Sequence, residues 1–272
     1  MRNKHFLGIS ALLVAGFTSF SSCHNDDDPV NDPILLFEIP LSTKMENPAP
    51  PGRSETGLLT MQLYRDNTLR YNFKVDNLAS GDGLTMAHFH AGDPVTNGPI
   101  ILPFPAWTGT TSSGTLTLRQ SLVDSLKNSS NDIYFNVHST QYPGGLVRGT
   151  VNSDLVLAET INMSGVNEVP PVVTTATGVA LLRLTVDRKL YSKVTVTNLP
   201  PGDALTMAHI HRGATGVNGA VLVPLAATAA DFNISKMTQL DEATAAAVRN
   251  EALYVNAHST TWPNGVIRGQ IR

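Results

Sequence analysis

The chain has 272 residues, 42% of them hydrophobic and 15% charged, enough for one large or two ordinary domains. Lys and Arg number 19 against 22 Asp and Glu, for a net charge of −3, and no basic run appears. That balance argues against a nucleic-acid partner, and a single cysteine, Cys23, leaves no internal disulfide framework.

Arg2 and Lys4 precede an apolar run from Phe6 to Phe20, then Ser21, Ser22 and Cys23. A basic head, an apolar stretch and a small-residue site make a secretory signal. The run is shorter than the roughly 20 residues a membrane-spanning helix needs. Phe20-Ser21-Ser22-Cys23 resembles a lipobox with Phe at the usual Leu position, which implies a signal over 1–22 and lipidation of Cys23. The alternative is an ordinary signal that leaves a free thiol. Residues 23–34 read as an acidic tether too polar to pack, led by His24-Asn25-Asp26-Asp27-Asp28. It is similar to the acidic tract that directs Bacteroidota lipoproteins to the outer face of the outer membrane. The resemblance implies a surface-exposed lipoprotein; a plain solvated spacer is the alternative.

The remainder repeats at an offset of about 120 residues, which predicts two tandem domains over 35–152 and 153–272. In chain order, Leu69 to Val75 alternates as a half-buried strand, and Asn77 to Asp82 is a turn. The strand Leu84-Thr85-Met86-Ala87-His88-Phe89-His90 follows, then Asn97-Gly98 as a tight turn and the apolar run Ile100 to Pro103. Ser121 to Lys127 is a weak helix, and Tyr134-Phe135-Asn136-Val137-His138 is a strand. Pro143-Gly144-Gly145 is turn chemistry before a closing strand with Arg148. The second copy repeats the set: Leu205 to His211, Asn218-Gly219, a helix started by Asp241 and Glu242, Tyr254 to His258, Pro263-Asn264-Gly265 and Arg268. Arg148 and Arg268 are expected to pair with a carboxylate such as Glu46 or Glu168.

Six histidines occupy matching positions: His88, His90 and His138, then His209, His211 and His258. Residues two apart in a strand share a face, so His88 and His90 are neighbours with Met86 in the same row. Tyr134, Asn136 and His138 share a face in the same way. If the two strands lie close, three imidazoles converge. Imidazole is a ligand for zinc and copper, and three with an open fourth position suit a zinc-type site. A thioether from Met86 or Met207 would tilt the preference towards copper. Asn136 and Asn256 could ligate as well, or orient an imidazole from behind. A metal-free hydrogen-bonding cluster and a pH-sensing cluster are the competing readings.

The Ala-His-x-His strand, the Asn-Gly-x-apolar strand, the Tyr-x-Asn-x-His-Ser segment and the closing Arg-Gly resemble the CHRD domain, named from chordin. Asn167-Glu168-Val169-Pro170-Pro171 is similar to that family's opening, which survives in the first copy only as Glu46-Asn47-Pro48. The resemblance implies an all-β chain of two tandem immunoglobulin-like or superoxide-dismutase-like Greek-key β-sandwiches.

A catalytic reading has little support. The sequence has no nucleophile elbow, phosphate-binding glycine loop, dinucleotide fingerprint or His-Glu-x-x-His helix. Copper–zinc superoxide dismutase also carries a His-x-His strand, but three histidines per copy are too few for a bridged two-metal site. The expectation is a monomeric, lipid-anchored binding protein, each copy holding copper or zinc. The alternative is a metal-free surface protein recognising a protein partner.

Overall fold

A computed structural model describes residues 32–130 and 132–272. The signal, Cys23 and nearly all of the tether lie outside the described residues. Residues 33–272 pack as one unit that contains both repeats.

The first repeat runs β1 (Leu35–Ser42), β2 (Thr56–Leu63), β3 (Thr68–Asp76), β4 (Leu84–Ala91), β5 (Ile100–Pro103), β6 (Thr111–Thr117), α1 (Gln120–Lys127), β7 (Ile133–Ser139) and β8 (Val147–Thr150). The second runs β9 (Leu155–Ser164), β10 (Thr177–Thr185), β11 (Lys189–Thr197), β12 (Leu205–Arg212), β13 (Val221–Ala226), β14 (Lys236–Gln239), α2 (Glu242–Asn250), β15 (Leu253–Ser259) and β16 (Ile267–Gln270). The chain is all-β in two tandem domains, as the sequence predicts. Each repeat forms an eight-stranded sheet in the order β5-β4-β7-β8-β1-β2-β3-β6, and the second copies that order strand for strand.

The alternation read from the sequence is the burial pattern observed. Leu69, Tyr71, Phe73 and Val75 of β3 point inwards, while Arg70, Asn72 and Lys74 are exposed. The sheet folds over on itself so that both ends of it share one core. Phe73 on β3 lies four strands from Phe135 on β7, yet their rings are 5.3 Å apart, and Phe104 packs edge-on against both. This is sandwich-like packing, with one sheet supplying both layers. The amphipathic α1 closes the core with Leu122, Val123 and Leu126. The second core is built from smaller side chains, with Val194, Ile210 and Val255 where the first has Phe73, Phe89 and Phe135.

The helices follow their caps. Asp241 accepts from the Thr244 amide at the start of α2, whereas Arg119 offers α1 no side-chain cap. That difference is why the second helix is the clearer one in the sequence.

Strands β7 and β15 are buried along their whole length, which one-faced alternation does not predict. Their inward residues meet the core. Their outward residues are covered by loops, and those loops build the site described below.

The repeats meet head to tail. Val95, in the loop after β4, is fully buried against Leu181 and Tyr191 on the outer face of β10 and β11. Arg183 beside them is fully buried and reaches the Glu46 carbonyl of the first repeat at 3.2 Å. The Tyr191 hydroxyl lies 3.3 Å from Asp132. The first repeat carries Thr60, Gln62 and Arg70 at the positions of Leu181, Arg183 and Tyr191.

Truncating Phe135, fully buried among Phe73, Phe89 and Phe104, empties the centre of the first core. Phe135→Ala is expected to cost about 3–5 kcal/mol in urea unfolding. A loss below about 1 kcal/mol would mean the aromatic cluster is not what holds this repeat.

Candidate metal centre

Strands β4 and β7 are antiparallel neighbours, with Met86 opposite His138, His88 opposite Asn136 and His90 opposite Tyr134. Strand β8 continues the rows by placing Arg148 opposite Asn136. The period of two sends these side chains to the outer face, while Ala87, Phe89, Phe135 and Val137 enter the core. The second repeat places His209 opposite Asn256 and His211 opposite Tyr254, with Arg268 on β16 opposite Asn256.

Three imidazoles converge in each copy. In both clusters every histidine offers a ring nitrogen, and the three nitrogens lie within 4.8 Å of one another. His88 Nδ1 is 3.1 Å from His138 Nε2, and His209 Nδ1 is 3.2 Å from His258 Nε2. Two nitrogens bound tetrahedrally to one ion at 2.0–2.1 Å stand about 3.3 Å apart, so little movement separates this geometry from a ligand set.

The surrounding carbonyls decide which nitrogen carries the proton. His90 Nδ1 lies 2.9 Å from the Gly98 carbonyl and His138 Nδ1 lies 2.8 Å from the Pro143 carbonyl. A carbonyl only accepts, so both rings donate from Nδ1 and present bare Nε2 lone pairs to the shared space. His211 with Gly219 and His258 with Pro263 repeat this at 2.9 Å each. His90 Nε2 and His211 Nε2 are buried and make no hydrogen bond. An unsatisfied buried acceptor costs about 1–3 kcal/mol, and it recurs in both repeats. The donor set fits a transition-metal ion: three imidazoles, two of them with Nδ1 on a carbonyl and Nε2 turned inward, with outer hydrogen bonds of the kind that orient metal-bound histidine.

Burial favours the neutral imidazole at His88, His90, His138, His209 and His258. His88 is pushed down by desolvation and then by the neighbouring His138 and His90; His138 and His258 fall chiefly by desolvation. His209 drops to about 4 for the same reasons as His88. Neutral imidazole is the form that binds metal.

Behind each cluster stands a second layer. The His90 ring stacks on Tyr134 at 4.8 Å, and the Arg148 guanidinium covers the other face of that tyrosine at 3.4 Å. His211, Tyr254 and Arg268 repeat the column at 4.9 and 3.4 Å. Arg148 donates to the Asp93 and Thr96 carbonyls and to the Asn97 side chain, and Glu46 lies 4.0 Å from it. The expected carboxylate pairing is therefore present in the first repeat as a long contact, subordinate to the carbonyls. Asn136 donates to Glu46 at 3.2 Å, standing between the acid and His88. Burial raises Glu46 and takes Glu168 up to about 7, against the lowering pull of Arg148 and Arg268. Gly145 and Gly265 have φ of +138° and +135°, and a Cβ on either would collide with the Glu46 or Glu168 carboxylate.

Of the remaining predicted residues, the methionines are half-exposed and the asparagines buried. Met86 and Met207 lie two residues before His88 and His209 on the same strands, 48% and 40% exposed, and Met86 stands directly across from His138. Asn136 and Asn256 are buried, each with its side-chain oxygen unpaired. Sequence reading takes Asn97-Gly98 and Pro143-Gly144-Gly145 as turns alone, and so misses the Gly98 and Pro143 carbonyls that set the tautomers. A signal was present: the acceptor follows its histidine by eight residues in His90–Gly98 and His211–Gly219, and by five in His138–Pro143 and His258–Pro263. The tyrosine column also went unread, although Tyr134 shares the face of Asn136 and His138.

No curated protein and no solved structure matches the chain. The CHRD domain matches it twice, over residues 37–151 and 160–271, and each stretch encloses one cluster with its supporting layer. The chain belongs to the CHRD domain family and carries two copies of that domain in tandem.

Proposed function

We propose that each repeat binds one transition-metal ion, copper or zinc, through His88 Nδ1, His90 Nε2 and His138 Nε2 and through the matching nitrogens of His209, His211 and His258. The carrying observation is the pair of carbonyl bonds in each copy that turn two bare nitrogens onto one point. To hold the ion through Nδ1, His88 and His209 would carry their protons on Nε2 instead. Met86 and Met207, half-exposed two residues before His88 and His209 on the same strands, would supply a thioether that favours copper(I) over zinc. Binding is the activity, without catalysis. Lipidation at Cys23 and an acidic tether put the domains on the outer face of the outer membrane, a reading that rests on residues 20–28. The chain acts as a monomer: the first repeat has the polar Thr60, Gln62 and Arg70 at the positions where the second uses Leu181, Arg183 and Tyr191 to dock.

A metal-free protein that recognises a protein partner is the second reading. It draws on Val166 in a short 3-10 turn and on Val173 and Val217 on loops of the second repeat, which are 74%, 97% and 53% exposed.

Metal content separates the two. Mass spectrometry of chain exposed to copper and zinc should give about two equivalents, falling to about one in His88→Ala and in His209→Ala. Protein that takes up neither ion returns the histidines to scaffolding. Met86→Leu with Met207→Leu is expected to weaken copper(I) at least tenfold and leave zinc within about twofold; equal losses for both ions would remove the thioethers from the site.

Proton linkage gives a third check. His209 has an ordinary value of 6.5 and is lowered to about 4 in the fold. Its contribution to stability is therefore complete above about 6.5 and is lost as pH falls towards about 4. Glu168, raised to about 7, works the opposite way, because its contribution is lost as pH rises through that value. In metal-free protein His209→Gln should flatten the loss of stability between pH 6.5 and 4, and Glu168→Gln should flatten the fall approaching pH 7. An unchanged slope in His209→Gln would mean its imidazole titrates normally.

A further inference from the structure

The two centres repeat each other in their ligands and differ in what holds their loops. In each copy one loop carries the Nδ1 acceptor of the second histidine and the carbonyls that bind the buried arginine. In the first repeat this is 92–98, with the Gly98 carbonyl on His90 and the Asp93 and Thr96 carbonyls on Arg148. In the second it is 213–219, with the Gly219 carbonyl on His211 and the Ala214 and Val217 carbonyls on Arg268.

The first loop is clamped by the other repeat. Val95 at its tip is fully buried beneath Leu181 and Tyr191, and its carbonyl accepts from Asn47 at 2.9 Å. Arg183 bonds the Glu46 carbonyl, one residue before Asn47 and on the residue whose carboxylate meets Asn136. Three contacts from β10 and β11 thus converge on the segments that orient His90 and Asn136. Among the described residues, the second loop has no such cover. Its tip is Gly216, at φ +79°, followed by Val217 at 53% exposure, and Ala214 and Ala252 replace Asp93 and Asp132.

We infer that Arg183, Leu181 and Tyr191 are positioning residues for the first metal centre, so that this centre is completed by both repeats while the second stands on its own loop. Each acts through the 92–98 loop and the Glu46 backbone; none touches the ion. A braced acceptor keeps His90 in its ligating tautomer with less ordering left to do on binding, so the first centre holds its ion more tightly and releases it more slowly. The exposed, glycine-tipped loop makes the second centre the exchanging one. The inference rests on the metal reading above, and one arm of its test does not.

The first repeat itself supplies the substitutions. It carries Thr60, Gln62 and Arg70 at the corresponding strand positions, so Leu181→Thr, Arg183→Gln and Tyr191→Arg are compatible with this sheet. The full chain would be compared with this triple variant, each also carrying His209→Ala or His88→Ala so that one centre is titrated with zinc at a time. The expected result is a first centre about tenfold weaker in the triple variant, the scale of losing an outer support to a ligand, with the second within twofold. Equal affinities of the first centre with and without the triple substitution would overturn the inference, as would parallel losses at both centres. Hydrogen exchange of the metal-free chain is the independent arm. Amides of 92–98 should exchange more slowly than those of 213–219 in the unsubstituted protein, and the triple variant should bring them level. If neither centre takes zinc but exchange behaves as stated, the metal reading fails and the brace stands. If zinc binds and exchange of 92–98 does not change, the brace fails alone. Tyr191→Phe, which removes only the hydroxyl contact with Asp132, guards against misfolding of the triple variant and should produce the same changes in smaller degree.

Discussion

A guanidinium taken out of water costs several kcal/mol unless carbonyls and a π-face replace its hydration. Behind each histidine cluster one arginine is buried in this way, Arg148 fully and Arg268 to within 1%. The replacement shell is what organises the outer face of the sheet. Two loop carbonyls and one asparagine oxygen fix the loop, and the aromatic face of Tyr134 or Tyr254 fixes the strand. The same loop then delivers a carbonyl to the second histidine, and the same tyrosine stacks on that histidine's ring. Loop conformation, imidazole tautomer and ring plane all follow from the arginine's need for acceptors.

Duplication has kept this arrangement and changed what surrounds it. Cores differ freely in size, with valine standing for phenylalanine, because volume can be redistributed inside a closed sheet. The arginine column and the histidines cannot be traded in that way, since every member satisfies another. The acids behind them diverge in degree: Glu46 has Asn136 and the Arg183-bonded backbone around it, whereas Glu168 keeps a buried oxygen without a partner.

Much of this was readable in the residues. Period-two alternation placed Phe73 and Phe135 inside and the histidines outside, and the repeat offset set the two copies side by side. The helix at 242–250 was legible through Asp241, a cap, while the shorter one at 120–127 was faint for want of one. What escaped was backbone chemistry. A carbonyl has no letter, so nothing in Gly98 or Pro143 reports that its oxygen faces an imidazole. Docking of the repeats escaped for a related reason: Leu181, Arg183 and Tyr191 sit on a strand's outward row, where polar residues are the expectation, and only their contrast with Thr60, Gln62 and Arg70 marks the face as covered.

The bond between the first and third imidazoles of each cluster has a bearing on selectivity. Without an ion, His138 Nε2 and His258 Nε2 already have a partner, so the cluster is internally satisfied at that pair. On the proposed metal reading, a cation would have to displace that hydrogen bond and move its proton to the far side of a ring. Calcium and magnesium, which seek oxygen and hold their water, gain nothing from that exchange. Ions with a strong preference for imidazole do. On the same reading the closed pair would act as a threshold, closed to hard cations and open to ions that prefer imidazole.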